Sequence, residues 1–262
     1  MISSNRLADN LRHVPGLLLI ATVTLNIFWP LTNDGMRDFV TMCGVVTFFA
    51  ESKTHAFITR GWSYTVRFVG TVLILAFIAE VVGTHTGFPF GTYSYSNRLG
   101  PVVLSVPLLI PLAWFMMMYP CLLIAQSLSA AKWKQVGIAS WLMASWDLFL
   151  DPQMVNEGYW VWFTTSGQET TVIPWTNFVG WFIVSALVFT AVLAVLPKNI
   201  APTEPQSDWV PRISVMWVWL GSFTANIFTF APFLNQPRVA ISGLIGMSIV
   251  LVPWLLNLRS QS

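Results

Sequence analysis

Four acidic side chains lie in or at the ends of strongly apolar stretches, where they could carry out chemistry. Glu80 ends the run LILAFIAE, Asp147 and Asp151 lie in SWLMASWDLFLDPQ, and Glu51 ends the run VVTFFAE. Because an ionisable group is costly among apolar residues, it marks a function or a specific partner. Asp147 and Asp151 are four positions apart and would share one face of a helix. Carboxyl groups placed in this way can donate and accept protons in acid–base catalysis.

The composition is that of an integral membrane protein. Hydrophobic residues make up 55% of the 262-residue chain and charged residues 9%, whereas a soluble domain carries about 25% charged residues. The mean hydropathy is +0.65. So few charges could not cover a soluble surface, and a net charge of +2 gives no basic footprint for a nucleic acid. Both cysteines lie in apolar runs and indicate neither a disulfide nor a zinc site.

Membrane helices must therefore position the acids. Several apolar stretches reach the roughly 20 residues that cross about 30 Å of hydrocarbon. They predict an all-α integral membrane protein, a single domain over 1–262 with a bundle of seven to eight transmembrane helices. The expected spans lie near 14–31, 38–52, 64–83, 102–128, 135–151, 172–197, 211–231 and 238–258. The second and fifth are short, which is why seven spans are the alternative.

The basic residues indicate how the bundle is oriented. With eight spans, ten of the 13 Lys and Arg residues fall on one side of the membrane and three on the other. By the positive-inside rule, the richer side is cytoplasmic, and so are both termini. The apolar run that begins at Pro15 is followed by few small residues, and we do not expect a cleaved signal peptide.

Two aromatic segments flank the acid-bearing spans on the side predicted to be external. Residues 83–101, GTHTGFPFGTYSYSNRLGP, contain four glycines and two prolines and cannot form a regular helix. Residues 152–173 form a second such loop. Irregular backbone at membrane depth lines a cavity or is buried in protein, and we expect both loops to be partly re-entrant over a lipophilic pocket. Ordinary external loops with interfacial aromatic residues are the alternative. No cluster with metal-ligand spacing surrounds His85.

The two aspartates also admit structural interpretations. Asp151 precedes Pro152, a pair typical of a helix N-cap followed by proline at the first helical position. That interpretation is as good as a functional one. Asp147 could simply hydrogen-bond a neighbouring helix, but few structural roles need a carboxylate between Trp146 and Leu148, so the functional interpretation is favoured.

The two glutamates differ in what surrounds them. Glu80 could pair with Arg67 or Arg98 at a membrane surface, although its apolar context favours a functional role. Glu51 has charged neighbours in the sequence. It is therefore expected to belong to an interfacial salt bridge rather than to an active site.

Several familiar catalytic motifs do not occur in the sequence: a Walker loop, HExxH, GxSxG and a dinucleotide fingerprint. Asp147 to Asp151 fits DxxxD, which resembles half of the Mg²⁺–diphosphate site of membrane prenyltransferases. Residues 152–173 contain Glu157 and Glu169 but no Lys or Arg to hold a diphosphate. We therefore favour acid–base chemistry on an uncharged lipid, with no cofactor and no metal.

Four stretches of the chain resemble the membrane carotenoid-biosynthesis family, which includes gamma-carotene 1′,2′-hydratase and bisanhydrobacterioruberin hydratase. They are EVVGTHTGFPFGTYSYSNRLGPVVLSVPLLIPLAWF (80–115), WDLFLDPQMV (146–155), GYWVW (158–162) and IPWTNFVGW (173–181). The resemblance runs through roughly 45–185, and TGFPFGTYSY is its most specific part. It implies a hydratase that adds water to the terminal C1–C2 double bond of an acyclic (psi) carotenoid end group.

In the implied reaction, a carboxylic acid protonates the less substituted alkene carbon and water captures the tertiary carbocation. We predict Asp147 as the proton donor, Asp151 as its partner or as the group that positions water, and Glu80 as the rival donor. Other residues would hydrogen-bond the water or the carboxyls, or shield the cation with their rings. These predicted substrate-binding residues are Phe88, Phe90, Tyr93, Tyr95, Trp146 and Asn177.

Three other functions stay open at this point. The same cation without water capture would make the protein a carotenoid end-group cyclase or isomerase. An allylic diphosphate and Mg²⁺ would make it a prenyltransferase, and binding alone would make it a non-catalytic carotenoid-binding membrane protein. The expected partners are an acyclic or monocyclic carotenoid, water, membrane lipid and other enzymes of the carotenoid pathway, with no nucleic acid.

Overall fold

The computed structural model describes residues 12–197, 208–228 and 236–261, and these residues confirm an all-α membrane protein. The eight helices of the described residues are α1 Val14–Phe28, α2 Asp34–Arg60, α3 Trp62–Thr86, α4 Leu109–Leu128, α5 Lys132–Asn156, α6 Trp175–Val195, α7 Trp209–Phe228 and α8 Pro237–Gln261. Five of them are long and apolar enough to cross a membrane, namely α1 (extended to Leu31), α3, α4, α6 and α8.

The spans expected near 38–52 and 135–151 lie inside longer helices. Helix α2 has 27 residues and α5 has 25. A proline inside a helix removes one backbone hydrogen bond, yet α5 continues through Pro152 to Asn156. Asp151, just before the proline, and Met154, two positions after it, are buried in the bundle, and their packing keeps this turn helical.

Helix α4 begins later than expected, because residues 102–107 form a β-hairpin instead of a helical turn. Strand β2, Val102–Val103, pairs with β3, Val106–Pro107. The two residues between them, Leu104 and Ser105, have φ of 48° and 66°. Positive φ at both central positions is the geometry of a tight type I′ turn, which halts the helix until Leu109.

The helices divide clearly into lipid-facing and inward-facing sides. On α3, Ile74, Ile78 and Val82 are exposed and lie on one stripe, whereas Ala76 and Glu80 are buried on another. Exposed large apolar side chains at a spacing of four residues are what a helix presents to lipid. The same pattern occurs on α6 and α8, with exposed Val179, Ile183, Leu187, Ile241, Ile245 and Ile249.

Helix α4 lies at the centre of the bundle, and 72% of the residues in its 18-residue apolar stretch are buried. It packs against α2, α3 and α5, while α6 packs against both α3 and α5. The acid-bearing helices α3 and α5 therefore share α4 and α6 as neighbours, and this arrangement lets their buried carboxyl groups meet in one place.

The two aromatic segments meet in a small antiparallel sheet at one end of these helices. Its strands are β1 Tyr93–Tyr95, β4 Trp160–Phe163 and β5 Glu169–Thr170, in the order β1-β4-β5. The register pairs Tyr93 with Trp162 and Tyr95 with Trp160. Helices α3 and α5 extend three and five residues beyond the expected span ends at 83 and 151, so the irregular segments are shorter than the predicted loops 83–101 and 152–173.

Charged residues fasten the sheet region to α2. Arg98 forms a salt bridge with Asp38 at 2.7 Å, and Arg37 forms one with Glu157 at 2.7 Å. Arg98 also donates to the backbone carbonyl of Glu157 and lies over the ring of Tyr159 at 4.7 Å. The hydrogen bond to Asp38 raises the pKa of Arg98. Both segments are therefore held against the same end of the bundle.

Candidate active site

Glu80 accepts three hydrogen bonds inside the bundle. The hydroxyls of Tyr93 and Tyr95 both donate to its Oε2 at 2.7 Å, and the indole of Trp114 donates to its Oε1 at 3.0 Å. The carboxyl group is 3% exposed. Strand β1 supplies two of these donors because residues two apart on a strand point to the same face, and α4 supplies the third.

The alternative in which Glu80 pairs with an arginine is wrong. Arg67 donates to the backbone carbonyl of Val195 at 2.9 Å, and Arg98 pairs with Asp38. Arg67 lies 13 positions before Glu80, which is about 20 Å along a helix that rises about 1.5 Å per residue. Glu80 is therefore held by neutral donors and not by a cation.

Asn177 joins the two aspartates of α5. Its Nδ2 donates to Oδ2 of Asp147 and to Oδ2 of Asp151, each at 2.7 Å. Since a side-chain amide has two N–H groups, each aspartate receives one of them. All three residues are at most 2% exposed, so the bridge is shielded from bulk solvent and fixes the spacing of the two carboxyl groups.

The two aspartates differ in their second oxygen. Oδ1 of Asp151 accepts from the indoles of Trp160 at 2.6 Å and Trp162 at 3.1 Å. Oδ1 of Asp147 is buried and has no hydrogen-bond partner among the described residues. Asp151 lies inside α5, so its interpretation as an N-cap is wrong: the helix does not start there, and the carboxyl group binds the sheet instead.

The three acids line one cavity of about 40 Å³. Its wall is strongly aromatic. Trp114 stacks on Trp181, with ring centroids 4.3 Å apart and an angle of 3° between the ring planes. Trp146 and Trp181 form a T-shaped contact, with ring centroids 5.9 Å apart and an angle of 85° between the planes. The remaining lining residues are Phe90, Tyr93, Tyr95, Ile110, Ala113, Leu150, Trp160, Trp162 and Asn177. The cavity therefore combines carboxyl groups with indole and phenol rings.

Two glycines make room for Phe90 in this wall. A Cβ on Gly83 would lie 2.9 Å from the Phe90 ring, and one on Gly180 would lie 2.8 Å from it. Because both positions lack a side chain, Phe90 fits between α3 and α6 and is 2% exposed. Phe88, which we predicted beside it, lies in the turn that follows α3, is 73% exposed and does not line the cavity.

Burial keeps the tyrosines of β1 in their protonated form. Desolvation, followed by the charge of the nearby Glu80 carboxyl, raises the pKa of Tyr93 and of Tyr95. Both phenols therefore act as hydrogen-bond donors to Glu80 over the whole physiological pH range. The same arrangement would let either hydroxyl orient a small polar molecule in the cavity.

Eight of the nine predicted site residues thus line the same cavity, and Phe88 is the exception. Trp114 and Trp181 line it as well and were not predicted. Each falls in a stretch that carried the family resemblance, but a tryptophan in an apolar helix is typical of any core. His85 is exposed and bonds the carbonyl of Val81, outside the site.

Two further expectations concern acids and cations. Glu51 is 0% exposed and accepts a hydrogen bond from Ser214 at 2.8 Å, so the expected interfacial salt bridge is wrong: Glu51 lies on the face of α2 that packs inward.

The described residues that line the acid cavity include no Lys or Arg. A diphosphate would have no cationic partner there, and Asp147 and Asp151 instead act as hydrogen-bond acceptors for Asn177.

Comparison with known proteins places the chain in a family. Residues 39–253 match the family model described as carotenoid biosynthesis protein. Over 161 residues the chain is 32% identical to bisanhydrobacterioruberin hydratase from Haloarcula japonica. This match covers 58% of this chain and 54% of that relative. The match therefore spans about half of the relative's length. No solved structure matches. Since the family model covers most of the chain, the protein belongs to the carotenoid biosynthesis protein family.

Proposed function

We propose that this protein is a carotenoid hydratase that adds water to the terminal C1–C2 double bond of an acyclic end group and needs no cofactor. Membership of the family and similarity to a relative named as a hydratase support the class of reaction. The observation that carries the proposal is Asp147, whose Oδ1 is buried without a partner beside the cavity. That oxygen is where a transferable proton would reside.

The first step is proton transfer from Asp147 to the less substituted carbon of the alkene. The π electrons form the new C–H bond, and the other carbon becomes a tertiary cation. Asn177 holds Oδ2 of Asp147 at 2.7 Å and so directs Oδ1 away from the amide. Asp151, bound by the same amide and by two indoles, keeps this pair of carboxyl groups in place.

The aromatic wall and the remaining acid serve the second step. The faces of Trp146 and Trp181 can stabilise a carbocation through their π electrons. The cavity of about 40 Å³ has space for about three or four water molecules at about 10–15 Å³ each. Water attacks the cation, and Glu80 accepts the proton that it releases. Transfer of that proton back to Asp147 through the remaining water regenerates the acid.

The proposal also includes an orientation of the protein in the membrane. Both termini face the cytoplasm because ten of 13 basic residues fall on that side of the predicted spans. The sheet of β1, β4 and β5 and the acid cavity then lie toward the external half of the membrane. Accessibility labelling of single cysteines introduced at Thr165 and at Lys134 would test this, because the two should react from opposite sides.

A pigment assay tests the reaction itself. The protein and its Asp147→Asn variant are expressed in a host that accumulates the acyclic carotenoid lycopene, and the pigments are analysed by mass spectrometry. We expect products heavier by one or two waters with the wild type and none with the variant. An unchanged mass with a shifted retention time would identify a cyclase or isomerase and contradict the proposal.

A further inference from the structure

A second cavity of about 190 Å³ lies beside the acid cavity. It lies between α1, α2, α4, α5 and α7, and none of the described residues that line it is charged. Two of its hydroxyls, on Thr22 and Thr41, donate to carbonyls of their own helices at 2.9 Å and 2.8 Å. Much of the remaining wall is apolar, with Phe48, Met116 and Trp217 among its members. Such a wall suits a hydrocarbon.

The two cavities share a wall made of Trp146 and Leu150, which line both. The helical repeat of α5 explains this. Asp147 and Asp151 follow Trp146 and Leu150 by one position, which turns them by about 100° at 3.6 residues per turn. Trp146, Leu150 and Met154 form the face toward the larger cavity, and the aspartates face the smaller one. Among the described residues, Trp146 and Leu150 line both the uncharged cavity and the cavity of the predicted proton donor.

The sizes of the cavities suggest different contents. The acid cavity, at about 40 Å³, fits a few waters but not an isoprenoid chain. The larger one, at about 190 Å³, exceeds the roughly 150 Å³ at which an apolar protein cavity binds benzene. Asn26, one of its lining residues on α1, is exposed, so the cavity reaches the surface of the bundle.

We propose that the larger cavity binds the polyene chain next to the reacting end of the carotenoid, while the acid cavity holds the water. The inference rests on the proposed function and adds a binding site to it. The polyene of the carotenoid enters beside α1, and its terminal double bond reaches Asp147 at the wall formed by Trp146 and Leu150. The rest of the carotenoid extends into lipid. Alkene and water thus approach the carboxyl group from different sides.

Gly44 offers a way to fill this cavity without disturbing the acids. It lines the larger cavity from α2, and a Cβ built on it meets a single atom within 4 Å, Oδ1 of Asn26 at 3.6 Å. A leucine side chain there would extend into the space proposed for the polyene. Gly70 on α3 is the matched control, because it lines neither cavity and nothing lies within 4 Å of its Cβ.

The experiment measures lycopene retained per protein after purification in detergent, together with hydration in the lycopene-producing host. We expect Gly44→Leu to lower both by at least about tenfold, because a misplaced methylene alone costs about 10–200-fold in an apolar pocket. Gly44→Ala should have a smaller effect and Gly70→Leu none. Asp147→Asn should keep the pigment and lose only hydration.

The outcomes separate the two proposals. Pigment retention by Gly44→Leu equal to that of the wild type would overturn the polyene site, whatever the chemistry. An equal loss in Gly70→Leu would do so as well, since the effect would not depend on the cavity. If the wild type retains lycopene but forms no hydrated product, the proposed function fails, and the contrast between Gly44→Leu and Gly70→Leu still decides the binding site. Thermal unfolding of each variant checks that it is folded.

Discussion

Tyr95 and Trp160 lie opposite each other on β1 and β4, yet they donate hydrogen bonds to different acids. The Tyr95 hydroxyl is 2.7 Å from Glu80 on α3, and the Trp160 indole is 2.6 Å from Asp151 on α5. Their ring centroids are 5.6 Å apart in an edge-to-face contact. One face of a two-stranded ribbon therefore spans the gap between the acid-bearing helices and sets the distance between their carboxyl groups.

Trp160→Phe should weaken this link while keeping most of the aromatic packing. The variant removes one donor from Oδ1 of Asp151 and leaves only Trp162 at 3.1 Å. Loss of one hydrogen bond from an acceptor that keeps another partner costs about 0.5–1.5 kcal/mol, so we expect a lower melting temperature in detergent and a clear loss of hydration. Trp133→Phe is the control, because Trp133 lies on α5, the helix that carries Asp151, but is 73% exposed. Equal behaviour of the two variants would contradict a role for the indole of Trp160.

The buried acids should not be equivalent. Asp147→Asn removes the proposed proton donor, and general acid catalysis contributes about 10²–10⁴-fold, so hydration should fall at least a hundredfold in the lycopene assay. Glu51→Gln is the matched control, since Glu51 is equally buried but bonds Ser214 and lines neither cavity. We expect its hydration to stay close to that of the wild type. Hydration in Asp147→Asn at the level of the wild type would exclude Asp147 as the donor.

The acids and tyrosines of the candidate site could be predicted because they lie in stretches of sequence that are unusual for a membrane helix. A carboxyl group in LILAFIAE or SWLMASWDLFL is costly to bury, and the glycines and prolines of TGFPFGTYSY prevent a helix. Such exceptions can be recognised from one sequence. The segments YSY and WVW were expected to lie in irregular loops, because their pairing as strands β1 and β4 depends on contacts between residues far apart in the chain.

Other parts of the site depend on tertiary packing. Trp114 and Trp181 are ordinary core residues by type, and only the crossing of α4 and α6 stacks them beside the acids. Asp151 before Pro152 is a good local signal for a helix start, but burial of α5 outweighs it. Glu51 has charged neighbours along the chain, whereas its helical face places it next to α7. In each case the sequence specifies a residue's type and immediate neighbours but not the face that it buries.

Asn177 should be essential for the geometry of the aspartate pair. Asn177→Leu has nearly the same size but no N–H groups, which leaves Oδ2 of Asp147 and of Asp151 without their shared donor. We expect a loss of hydration together with a lower melting temperature, because two buried acceptors lose a partner. Asn177→Asp should be worse, since it places a third carboxyl group next to the other two. Full activity in Asn177→Leu would show that the bridge is not needed to position Asp147.

The narrow space between α6 and the loop after α3 predicts a strong effect of one methyl group. In Gly180→Ala the new Cβ would lie 2.8 Å from the ring of Phe90 and 3.1 Å from the carbonyl oxygen of Pro89. Because overpacking a buried site costs about 1–3 kcal/mol, Phe90 should shift in the cavity wall, lowering both the melting temperature and hydration. Gly70→Ala, where nothing lies within 4 Å of the new Cβ, should be neutral or stabilising, since alanine favours a helix by about 1 kcal/mol over glycine. If Gly180→Ala behaved like Gly70→Ala in both measurements, the packing of Phe90 against α6 would not determine the shape of the cavity.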